Sequence, residues 1–404
     1  MTHGMDATGL RLALFSDTAL PQLNGVTRTL DRLTRAVRAR GGEVRMFTTT
    51  DRGVDSEHSV RRFASVPFWA YPQLRLALPR VSAVTRELQA FGPTLVHAAT
   101  PFGVGLAGRA AAQRIGAPFV SSYHTSFSAY AECYGLGMLS SAGWRYQRWF
   151  HNGGLRTFCP TRAVQRELES QGVRRTRVWG RGVDTARFSP QHRSIAFRRT
   201  VLGADAGAVV VAYVGRLAVE KGLDLALGAM RLAQERSTVP LKFVFAGDGP
   251  YGAACRAAAP EGSIFLGRLE GEQLATFYAS ADLFVFPSRT DTFGNVLLEA
   301  MASGLPVIAA DAAPTRELLR DGACGVMAGA ASPVPMADAI VALAHDPERR
   351  AWLARSGLSA ASQHSWDAVF ELLLADYAEV SSFPAWDVPR LPVSRPTKRN
   401  AALR

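Results

Sequence analysis

Short apolar segments alternate with longer amphipathic ones along almost the whole chain, and this alternation constrains the fold more than any other feature. Brief apolar runs are typical of buried parallel strands, and the amphipathic stretches between them are typical of helices that cover a sheet. The pattern predicts an α/β fold with parallel sheets. The predicted strands are Leu10–Phe15, Glu43–Thr48, Leu95–Ala98, Pro118–Tyr123, Thr157–Pro160, Arg177–Trp179, Val209–Val214, Lys242–Ala246, Ser263–Leu266, Leu283–Phe286 and Val307–Ala309.

The segment from Asp184 to Gly207 divides these strands into two groups. It is polar, contains Pro190 and lacks a strand-like run. A domain boundary there predicts two Rossmann-like domains whose parallel sheets face each other across a deep cleft. A chain of 404 residues is long enough for each domain to bury a core of its own.

The composition narrows the class of protein. With 48% hydrophobic and 20% charged residues, the chain is expected to be globular. No apolar run reaches the roughly 18 residues of a membrane-spanning helix, and the polar N-terminus does not resemble a signal peptide. Four cysteines lie far apart without a CxxC pair, which indicates reduced thiols in a cytoplasmic protein and argues against a zinc site.

The net charge of +12 indicates an anionic partner, which would be a nucleotide, a phospholipid surface or nucleic acid. The sequence contains no recognition helix, RNP-like segment or zinc finger, so nucleic acid is not expected. The alternative to an anionic partner is that the many arginines only reflect the base composition of the genome.

Two carboxylates eight residues apart mark the most informative segment, Pro287–Pro306. It begins where the predicted strand Leu283–Phe286 ends, and a helix is predicted over Asn295–Ser303. Asp291 is therefore expected in the loop at the carboxyl edge of the sheet, and Glu299 about one turn inside the helix. Open α/β sheets bind ligands at this edge, and a helix N-terminus attracts a pyrophosphate. The carboxylates would then accept hydrogen bonds from sugar hydroxyl groups; a helix cap and a solvated glutamate are the structural alternative.

Other loops after predicted strands carry residues suited to a nucleotide. Arg216 and Lys221 flank the loop after the first strand of the second half, where two cations at a helix N-terminus call for an anion between them. Gly25 opens a helix after the first strand, and its backbone can approach a ligand closely. Gly247 and Gly267 end two further strands and suit backbone contacts to a base. Surface cations and ordinary tight turns are the structural alternatives.

Candidate contacts to an acceptor or a membrane lie in the first half. His124 follows the strand Pro118–Tyr123 and is expected to face the cleft, although a lone histidine is often structural. The helix predicted over Val26–Ala39 carries arginines opposite its apolar stripe, and basic residues near an anionic bilayer contribute about 1 kcal/mol each. A solvated basic face is the alternative. The candidates for acceptor or membrane contact are Arg28, Arg32, Arg35, Trp69, Tyr71 and Tyr130.

Together these segments resemble glycosyltransferase family 4, a family of retaining enzymes with the GT-B fold, from the first strand to about Tyr377. The family carries an E-x7-E element. In this chain the matching motif is Asp291-x7-Glu299, so aspartate replaces the first glutamate. The chain looks most like GDP-mannose-dependent α-mannosyltransferases that act on glycolipids, and sulfoquinovosyl- and glucuronosyl-diacylglycerol synthases look similar too. The resemblance is carried by Asn24-Gly25-Val26, Trp179-Gly-Arg-Gly-Val-Asp184, Gly215-Arg216, Glu220-Lys221-Gly222, Gly247-Asp-Gly-Pro250 and Asp291-x7-Glu299.

The resemblance implies a role for each matched residue. Arg216 and Lys221 would hold the donor diphosphate, Glu299 the ribose hydroxyl groups and Asp291 those of the donor sugar. His124 matches a histidine near the reacting carbon. The candidate catalytic residues are His124, Arg216, Lys221 and Asp291. The candidate donor-binding residues are Asn24, Gly25, Val26, Arg216, Lys221, Gly247, Gly267, Arg268, Phe293, Gly294, Asn295, Val296 and Glu299.

The resemblance also implies an organisation and a reaction. An acceptor domain over residues 1–190 and a donor domain over 191–364 would precede a helix over 365–383 that crosses back, and a basic tail over 384–404. The protein would move a hexose, with mannose from GDP-mannose favoured, to a hydroxyl group of a lipid or glycolipid. No metal or other cofactor is expected, and the enzyme would be cytoplasmic or peripheral on the inner face of the cell membrane. The alternatives are transfer from a UDP-sugar to diacylglycerol, a GT-B sugar-nucleotide epimerase and a non-catalytic sugar-nucleotide binding protein.

Overall fold

The computed structural model describes residues 6–22, 24–50, 59–68, 71–124, 140–205 and 207–383, with the backbone alone at residues 68, 71–74 and 140. The strands are β1 Arg11–Ser16, β2 Glu43–Thr49, β3 Val60–Phe63, β4 Val66–Phe68, β5 Tyr71–Leu76, β6 Leu95–Ala98, β7 Phe119–Ser122, β8 Arg156–Cys159, β9 Thr176–Val178, β10 Val209–Val214, β11 Leu241–Ala246, β12 Ile264–Gly267, β13 Leu283–Phe286, β14 Val307–Ala310 and β15 Val326–Ala328. The helices are α1 Gly25–Ala39, α2 Val81–Phe91, α3 Gly103–Ile115, α4 Ser140–His151, α5 Arg162–Ser170, α6 Ile195–Thr200, α7 Leu223–Arg236, α8 Gly252–Ala258, α9 Gly271–Ser280, α10 Asn295–Ala302, α11 Ala313–Leu318, α12 Val334–His345, α13 Pro347–Ala361 and α14 Trp366–Ser381. This alternation of strands and helices confirms the predicted α/β class.

The first sheet has seven parallel strands in the order β3-β2-β1-β6-β7-β8-β9. Successive side chains of a strand point to opposite faces of the sheet. On β1, Leu12 and Leu14 join a core shared with α1 and α14, whereas Ala13 and Phe15 join a core shared with α2 and α3. Helices therefore cover both faces, which is why β1 is apolar from Leu12 to Phe15 without alternation.

The second sheet has six parallel strands in the order β12-β11-β10-β13-β14-β15. Val211 and Tyr213 of β10 pack in a core with α7 and α12. Val210 and Ala212 point to the other face and pack in a core with α9 and α10. This sheet is also buried on both faces, as the apolar runs in the second half predict.

The strand order reverses beside a central strand in each sheet, between β1 and β6 in the first and between β10 and β13 in the second. Loops diverge at such a point and leave a crevice at the carboxyl ends of the strands. Thr292 follows β13, and His124 follows β7. The Thr292 hydroxyl donates a hydrogen bond to the His124 main-chain oxygen at 2.7 Å. The carboxyl edges of the two sheets therefore face each other.

The C-terminal helix α14 follows the second sheet in sequence but packs on the first. Phe370, Leu373 and Tyr377 are buried in the core that contains β1 and α1 side chains. Arg156 of β8 forms an ion pair with Glu379 at 2.9 Å. The chain thus returns to the first sheet after completing the second, and the predicted basic tail over 384–404 lies outside the described residues.

The predicted strands agree with observed strands within one residue at each end, and β6, β10 and β13 coincide with them. The sequence prediction missed β3, β4, β5 and β15. β3 lies at a sheet edge, is only partly buried and contains two arginines, which weakens its apolar pattern. β15 is apolar but only three residues long, too short to stand out as a strand. Strands β4 and β5 form a separate antiparallel pair outside both sheets.

Candidate active site between the two sheets

Glycines allow the loops after β10, β11 and β13 to touch one another. Gly222 precedes α7 with a φ of 69°, and a Cβ atom there would lie 2.5 Å from the Pro287 carbonyl oxygen. A Cβ atom on Gly247 would lie 1.9 Å from the Gly215 carbonyl oxygen. A larger residue at either position would push two loops apart. The three loops therefore form one continuous rim at the carboxyl edge of the second sheet.

The predicted diphosphate and sugar residues meet on this rim. Lys221 Nζ lies 2.5 Å from Asp291 Oδ1, and each of these side chains is 19% exposed. Arg216 lies 3.6 Å from the Glu220 carboxylate. The sequence predicted that two cations here call for an external anion, but the protein itself supplies a carboxylate to each. Charge balance alone therefore does not require an anionic ligand, and the case for one depends on the geometry of the whole cleft.

Glu299, on α10, faces the first domain. Its carboxylate accepts a hydrogen bond from the Tyr278 hydroxyl at 3.0 Å. Burial raises the pKa of Glu299, and the positive charges of Arg28 and Arg32 act in the opposite direction. Both arginines belong to α1, so the charged faces of α1 and α10 lie opposite each other across the cleft.

The N-termini of α1 and α10 border the same space. Asn24 caps α1 by accepting a hydrogen bond from the Thr27 N–H group at 2.9 Å. Gly294, with a φ of 83°, precedes α10. A Cβ atom on Gly25 would lie 3.3 Å from Asn295 Nδ2, and within the described residues Asn295 Oδ1 has no hydrogen-bond partner. The N-termini of α1 and α10 thus approach each other, an arrangement that favours an anion between them.

Three predicted donor-binding side chains contact hydrophobic cores. Phe293 is buried in a core of the second sheet, and the partly buried Val26 and Val296 pack against the cores of the first and second sheets. Their side chains hold the N-termini of α1 and α10 in place, so main-chain groups are what these residues can offer to a ligand.

A further side of the cleft is formed by the loops after β11 and β12. The Gly247 N–H group donates a hydrogen bond to the Gly267 carbonyl oxygen at 2.7 Å. Arg268 lies 2.6 Å from Glu270, and Arg28 of α1 reaches the same carboxylate at 3.9 Å. The ion pair between Arg28 and Glu270 connects the first domain to the loop after β12, which was predicted to contact the nucleotide base.

His124 lies where the two sheet edges meet. Its Nδ1 atom is 2.6 Å from Arg181 Nη2, and its Nε2 atom is 2.8 Å from Ser122 Oγ. Burial lowers the pKa of His124 well below its ordinary value, and the charge of Arg181 lowers it further. In this arrangement both ring nitrogens are bonded to protein groups, so the ring offers neither of them to a sugar.

The fold brings to the cleft several polar residues that the sequence prediction did not single out. Asp17, directly after β1, accepts hydrogen bonds from the Thr100 hydroxyl at 2.6 Å and from the Val104 N–H group at 2.9 Å. It thereby fixes the N-terminus of α3, and burial raises its pKa to about 6. The residues missed were Asp17, Arg181, Tyr278 and Thr292. Arg181 and Thr292 had a signal, because they lie within the motifs Trp179–Asp184 and Asp291-x7-Glu299.

The basic face of α1 is divided between the cleft and solvent. Arg28 reaches Glu270, and the Arg32 guanidinium lies 5.1 Å from the ring centroid of Trp366 at the start of α14. The Arg35 side chain is 75% exposed. Two of the three arginines predicted for an outer membrane-facing surface therefore contact other parts of the protein.

The aromatic candidates Trp69 and Tyr130, and the side chain of Tyr71, lie outside the described residues. Across the described part of the chain, no helix combines the length and apolarity needed to cross a bilayer. The same residues contain no group of three or more His, Cys, Asp or Glu side chains placed to hold a metal ion.

Sequence comparison matches a different family model in each half of the chain. Residues 23–187 match Glycosyltransferase Family 4, and residues 208–346 match Glycosyl transferases group 1. The GDP-mannose-dependent alpha-mannosyltransferase of Mycobacterium tuberculosis is 35% identical over 92% of this chain and 97% of its own length. A protein of the same name from Corynebacterium glutamicum is 30% identical, with 95% of both chains covered. The sulfoquinovosyl transferase SQD2 of Arabidopsis thaliana is 30% identical over 89% of this chain and 71% of its own.

Solved structures share the architecture at lower identity. The Anabaena protein HepE, in complex with UDP and glucose, superposes with a TM-score of 0.74 at 22% identity, covering 92% of this chain and 99% of that one. Sucrose-phosphate synthase from Thermosynechococcus elongatus superposes with a TM-score of 0.73 at 21% identity and the same coverage. These similarities confirm the predicted two-domain GT-B fold.

Proposed function

Because this chain belongs to glycosyltransferase family 4 and is a hexosyltransferase, we propose that it transfers mannose from GDP-mannose to a hydroxyl group of a lipid or glycolipid, with retention of anomeric configuration. The names of the mycobacterial and corynebacterial relatives support the donor. A relative from Streptococcus pneumoniae that is named as an alpha-monoglucosyldiacylglycerol synthase, 30% identical over 74% of this chain, supports an acceptor of lipid character.

The observation that carries the proposal is the arrangement of four charged residues at adjacent strand ends. Arg216 and Lys221 follow β10, and Asp291 and Glu299 follow β13, the neighbouring strand. Gly25 and the N-terminus of α1 lie opposite them, close to Asn295. Cations, helix N-termini and hydroxyl-binding carboxylates thus surround one cleft, which is the set of groups that a nucleotide-diphosphate sugar requires.

In the proposed complex, Lys221 and Arg216 bind the donor diphosphate. A phosphate bonded to Lys221 would replace Asp291 as the partner of its ammonium group and leave that carboxylate to accept hydrogen bonds from sugar hydroxyl groups. Glu299, oriented by Tyr278, would accept hydrogen bonds from the ribose. Main-chain N–H groups at Gly294 and Asn295 would contact the sugar and phosphates.

Transfer breaks the bond between the anomeric carbon and the diphosphate oxygen and forms a bond to the acceptor hydroxyl oxygen. Negative charge grows on the departing diphosphate, so cations already fixed in place stabilise the transition state more than the ground state. The acceptor hydroxyl group attacks from the face on which the diphosphate leaves, which gives retention, and its proton passes to a phosphate oxygen on that face. This assignment of the proton is compatible with a His124 ring whose nitrogens are both occupied.

The proposal divides the work between domains. Residues 1–190 would bind the acceptor, residues 191–364 the donor, and the helix over 365–383 would connect the donor domain to the first sheet. A net charge of +12 would favour peripheral contact with the anionic inner face of a cell membrane, where a lipid acceptor is available.

Purified protein should first be screened for thermal stabilisation by GDP, UDP and ADP, and by GDP-mannose, UDP-glucose and UDP-glucuronate. We expect the largest stabilisation from GDP and GDP-mannose. Incubation with GDP-mannose and a lipid extract should then give a mannosylated lipid with an α-linkage, identified by mass spectrometry and NMR. Transfer from UDP-sugars alone would refute the proposed donor, and interconversion of the free nucleotide sugar without transfer would indicate an epimerase. Folded protein that neither hydrolyses nor transfers any of these sugars would refute a catalytic function.

A further inference from the structure

We propose that Tyr377, His97 and Ser122 are positioning residues for the transfer reaction: they hold His124, and through its main chain the loop that carries Asp291, by a hydrogen-bonded chain running from the C-terminal helix to the cleft. The inference rests on the proposed function in placing the reaction in this cleft and in the roles of Asp291 and Lys221. We call Tyr377, His97, Ser122 and His124 the histidine chain.

The histidine chain is continuous and buried. The Tyr377 hydroxyl on α14 lies 2.6 Å from His97 Nδ1 on β6. His97 Nε2 lies 2.9 Å from Ser122 Oγ on β7, which lies 2.8 Å from His124 Nε2. Tyr377, His97 and Ser122 are each at most 1% exposed. Water therefore has little access to these bonds, and each side chain depends on its neighbours for partners.

Arg181 determines where the proton of His124 resides. A guanidinium group can only donate, so the Arg181 Nη2 contact requires His124 Nδ1 to be an acceptor. A neutral ring then carries its proton on Nε2 and donates it to Ser122 Oγ. Ser122 can donate its own proton to His97 Nε2, and His97 can donate from Nδ1 to the Tyr377 oxygen. One tautomer of each ring thus satisfies every link.

Burial keeps the two rings neutral. It lowers the pKa of His97 to about 3 and that of His124 well below its ordinary value. A second proton on His124 would have to sit on Nδ1, against the N–H group of Arg181. The His124 ring is therefore held as a neutral group in a single orientation, as a positioning role requires.

The main chain of His124 carries the effect across the domain interface. The His124 carbonyl oxygen accepts a hydrogen bond from the Thr292 hydroxyl at 2.7 Å, and Thr292 follows Asp291 directly in the sequence. Asp291 in turn contacts Lys221. A shift of the His124 backbone would therefore displace the hydroxyl-binding carboxylate relative to the diphosphate-binding ammonium, and small misplacements at a reacting centre lower turnover strongly.

The adjacent serine of β7 provides a matched control. Ser121 points to the opposite face of the sheet, and its Oγ lies 2.8 Å from His151 Nδ1, a ring whose pKa burial also lowers to about 3. Ser121→Ala and Ser122→Ala each remove one buried hydroxyl group with two partners: His151 and Thr157 for Ser121, and His97 and His124 for Ser122. Only Ser122 belongs to the histidine chain. If the hydrogen bonds of both serines only stabilise the fold, the two variants should have equal kcat.

The kinetic test compares Ser122→Ala and Tyr377→Phe with Ser121→Ala, at a temperature well below the melting midpoint of each variant. Tyr377→Phe keeps the ring that packs in the core and removes one hydroxyl group. We expect Tyr377→Phe, which removes one buried hydrogen bond of the histidine chain, to lower kcat about tenfold. Ser122→Ala removes two and should lower kcat at least as much, and KM for the donor should change less than about twofold in both variants. Ser121→Ala should leave kcat close to wild type. Equal kcat in the two serine variants, or unchanged kcat in folded Tyr377→Phe protein, would overturn the proposal.

A spectroscopic test is independent of activity. Protein labelled with ¹⁵N-histidine should show one imidazole, assigned by its loss in His124→Gln, with an unprotonated Nδ1 and a protonated Nε2 that do not titrate between about pH 5.5 and 8. Ser122→Ala should shift this signal, and Ser121→Ala should leave it unchanged. A His124 ring that titrates normally, or that carries its proton on Nδ1, would refute the chain even in an active enzyme. Wild-type protein that shows the expected spectrum but no glycosyl transfer would refute the proposed function instead.

Discussion

Lys221→Met removes the ammonium group from the rim of the second sheet and leaves a side chain of similar length. Lys221 Nζ lies 2.5 Å from Asp291, and its side chain is four-fifths buried, so its charge is only partly screened by solvent. At a separation of about 4 Å and an effective dielectric constant of about 20, attraction between an ammonium and one unit of negative charge is about 4 kcal/mol. Loss of a single transition-state hydrogen-bond donor in other enzymes costs about 3 to 4 kcal/mol, in agreement with this value. We therefore expect kcat/KM to fall roughly 100- to 1,000-fold.

The assay measures initial rates of sugar transfer from labelled GDP-mannose to lipid acceptor over a range of donor concentrations. Lys242→Met is the matched control, because Lys242 lies near the start of β11, at the opposite end of the sheet from the rim. It makes the same change in net charge and should retain the wild-type rate. Melting midpoints of both variants must show folded protein, since losing the partner of Asp291 costs about 1 to 3 kcal/mol if the carboxylate stays buried.

A folded Lys221→Met enzyme with kcat/KM within about threefold of wild type would refute the reasoning, because so small a change corresponds to less than about 1 kcal/mol. An equal loss of activity in Lys242→Met would also refute it, since the effect would then follow net charge and not position.

Three further predictions concern the ribose site, pH and metal ions. Tyr278→Phe removes the hydroxyl group that orients Glu299 and should raise KM for the donor about five- to tenfold with little change in kcat; an unchanged KM would argue against the role of Glu299. His97 and His151 are neutral in the fold, with pKa values of about 3, and titrate at about 6.5 when unfolded, so stability should fall as pH drops from about 6.5 towards 3. Each contributes a slope of about 1.4 kcal/mol per pH unit, and urea unfolding of His151→Gln should show a shallower pH dependence than wild type. Transfer activity should persist in EDTA because Arg216 and Lys221 supply the positive charge; activity lost in EDTA and restored by Mg²⁺ or Mn²⁺ would contradict this.

Local sequence pattern was sufficient to predict both sheets and the position of the candidate site. Parallel strands buried on both faces are rich in apolar residues, and the glycines and charged residues that follow them lie in predictable places at the carboxyl edge. Arg216, Lys221, Asp291 and Glu299 were identified in this way, from the loops after β10 and β13. The prediction failed for β3, whose partly exposed position accommodates two arginines, and for β15, which is only three residues long.

Pairing between distant residues was not accessible from the sequence. The predicted demand for an anion near Arg216 and Lys221 took no account of the carboxylates that the fold places beside them. The basic face of α1 was predicted to point outward, and its contacts with Glu270 and Trp366 depend on how the two domains approach each other. A helical wheel identifies which residues share a face, but it contains no information about what that face meets.

The sequence by itself determined the α/β class, the two domains and the loops that carry the candidate donor site, because hydrophobic periodicity and turn-forming residues act over a few neighbouring positions. Only the tertiary structure decided the protonation and partners of the buried groups. His124 and Tyr377 are separated by most of the chain, and they join one hydrogen-bonded chain because α14 returns to the first sheet. Electrostatic and hydrogen-bonding environments depend on distances in space, and those distances are set when the helices and sheets pack.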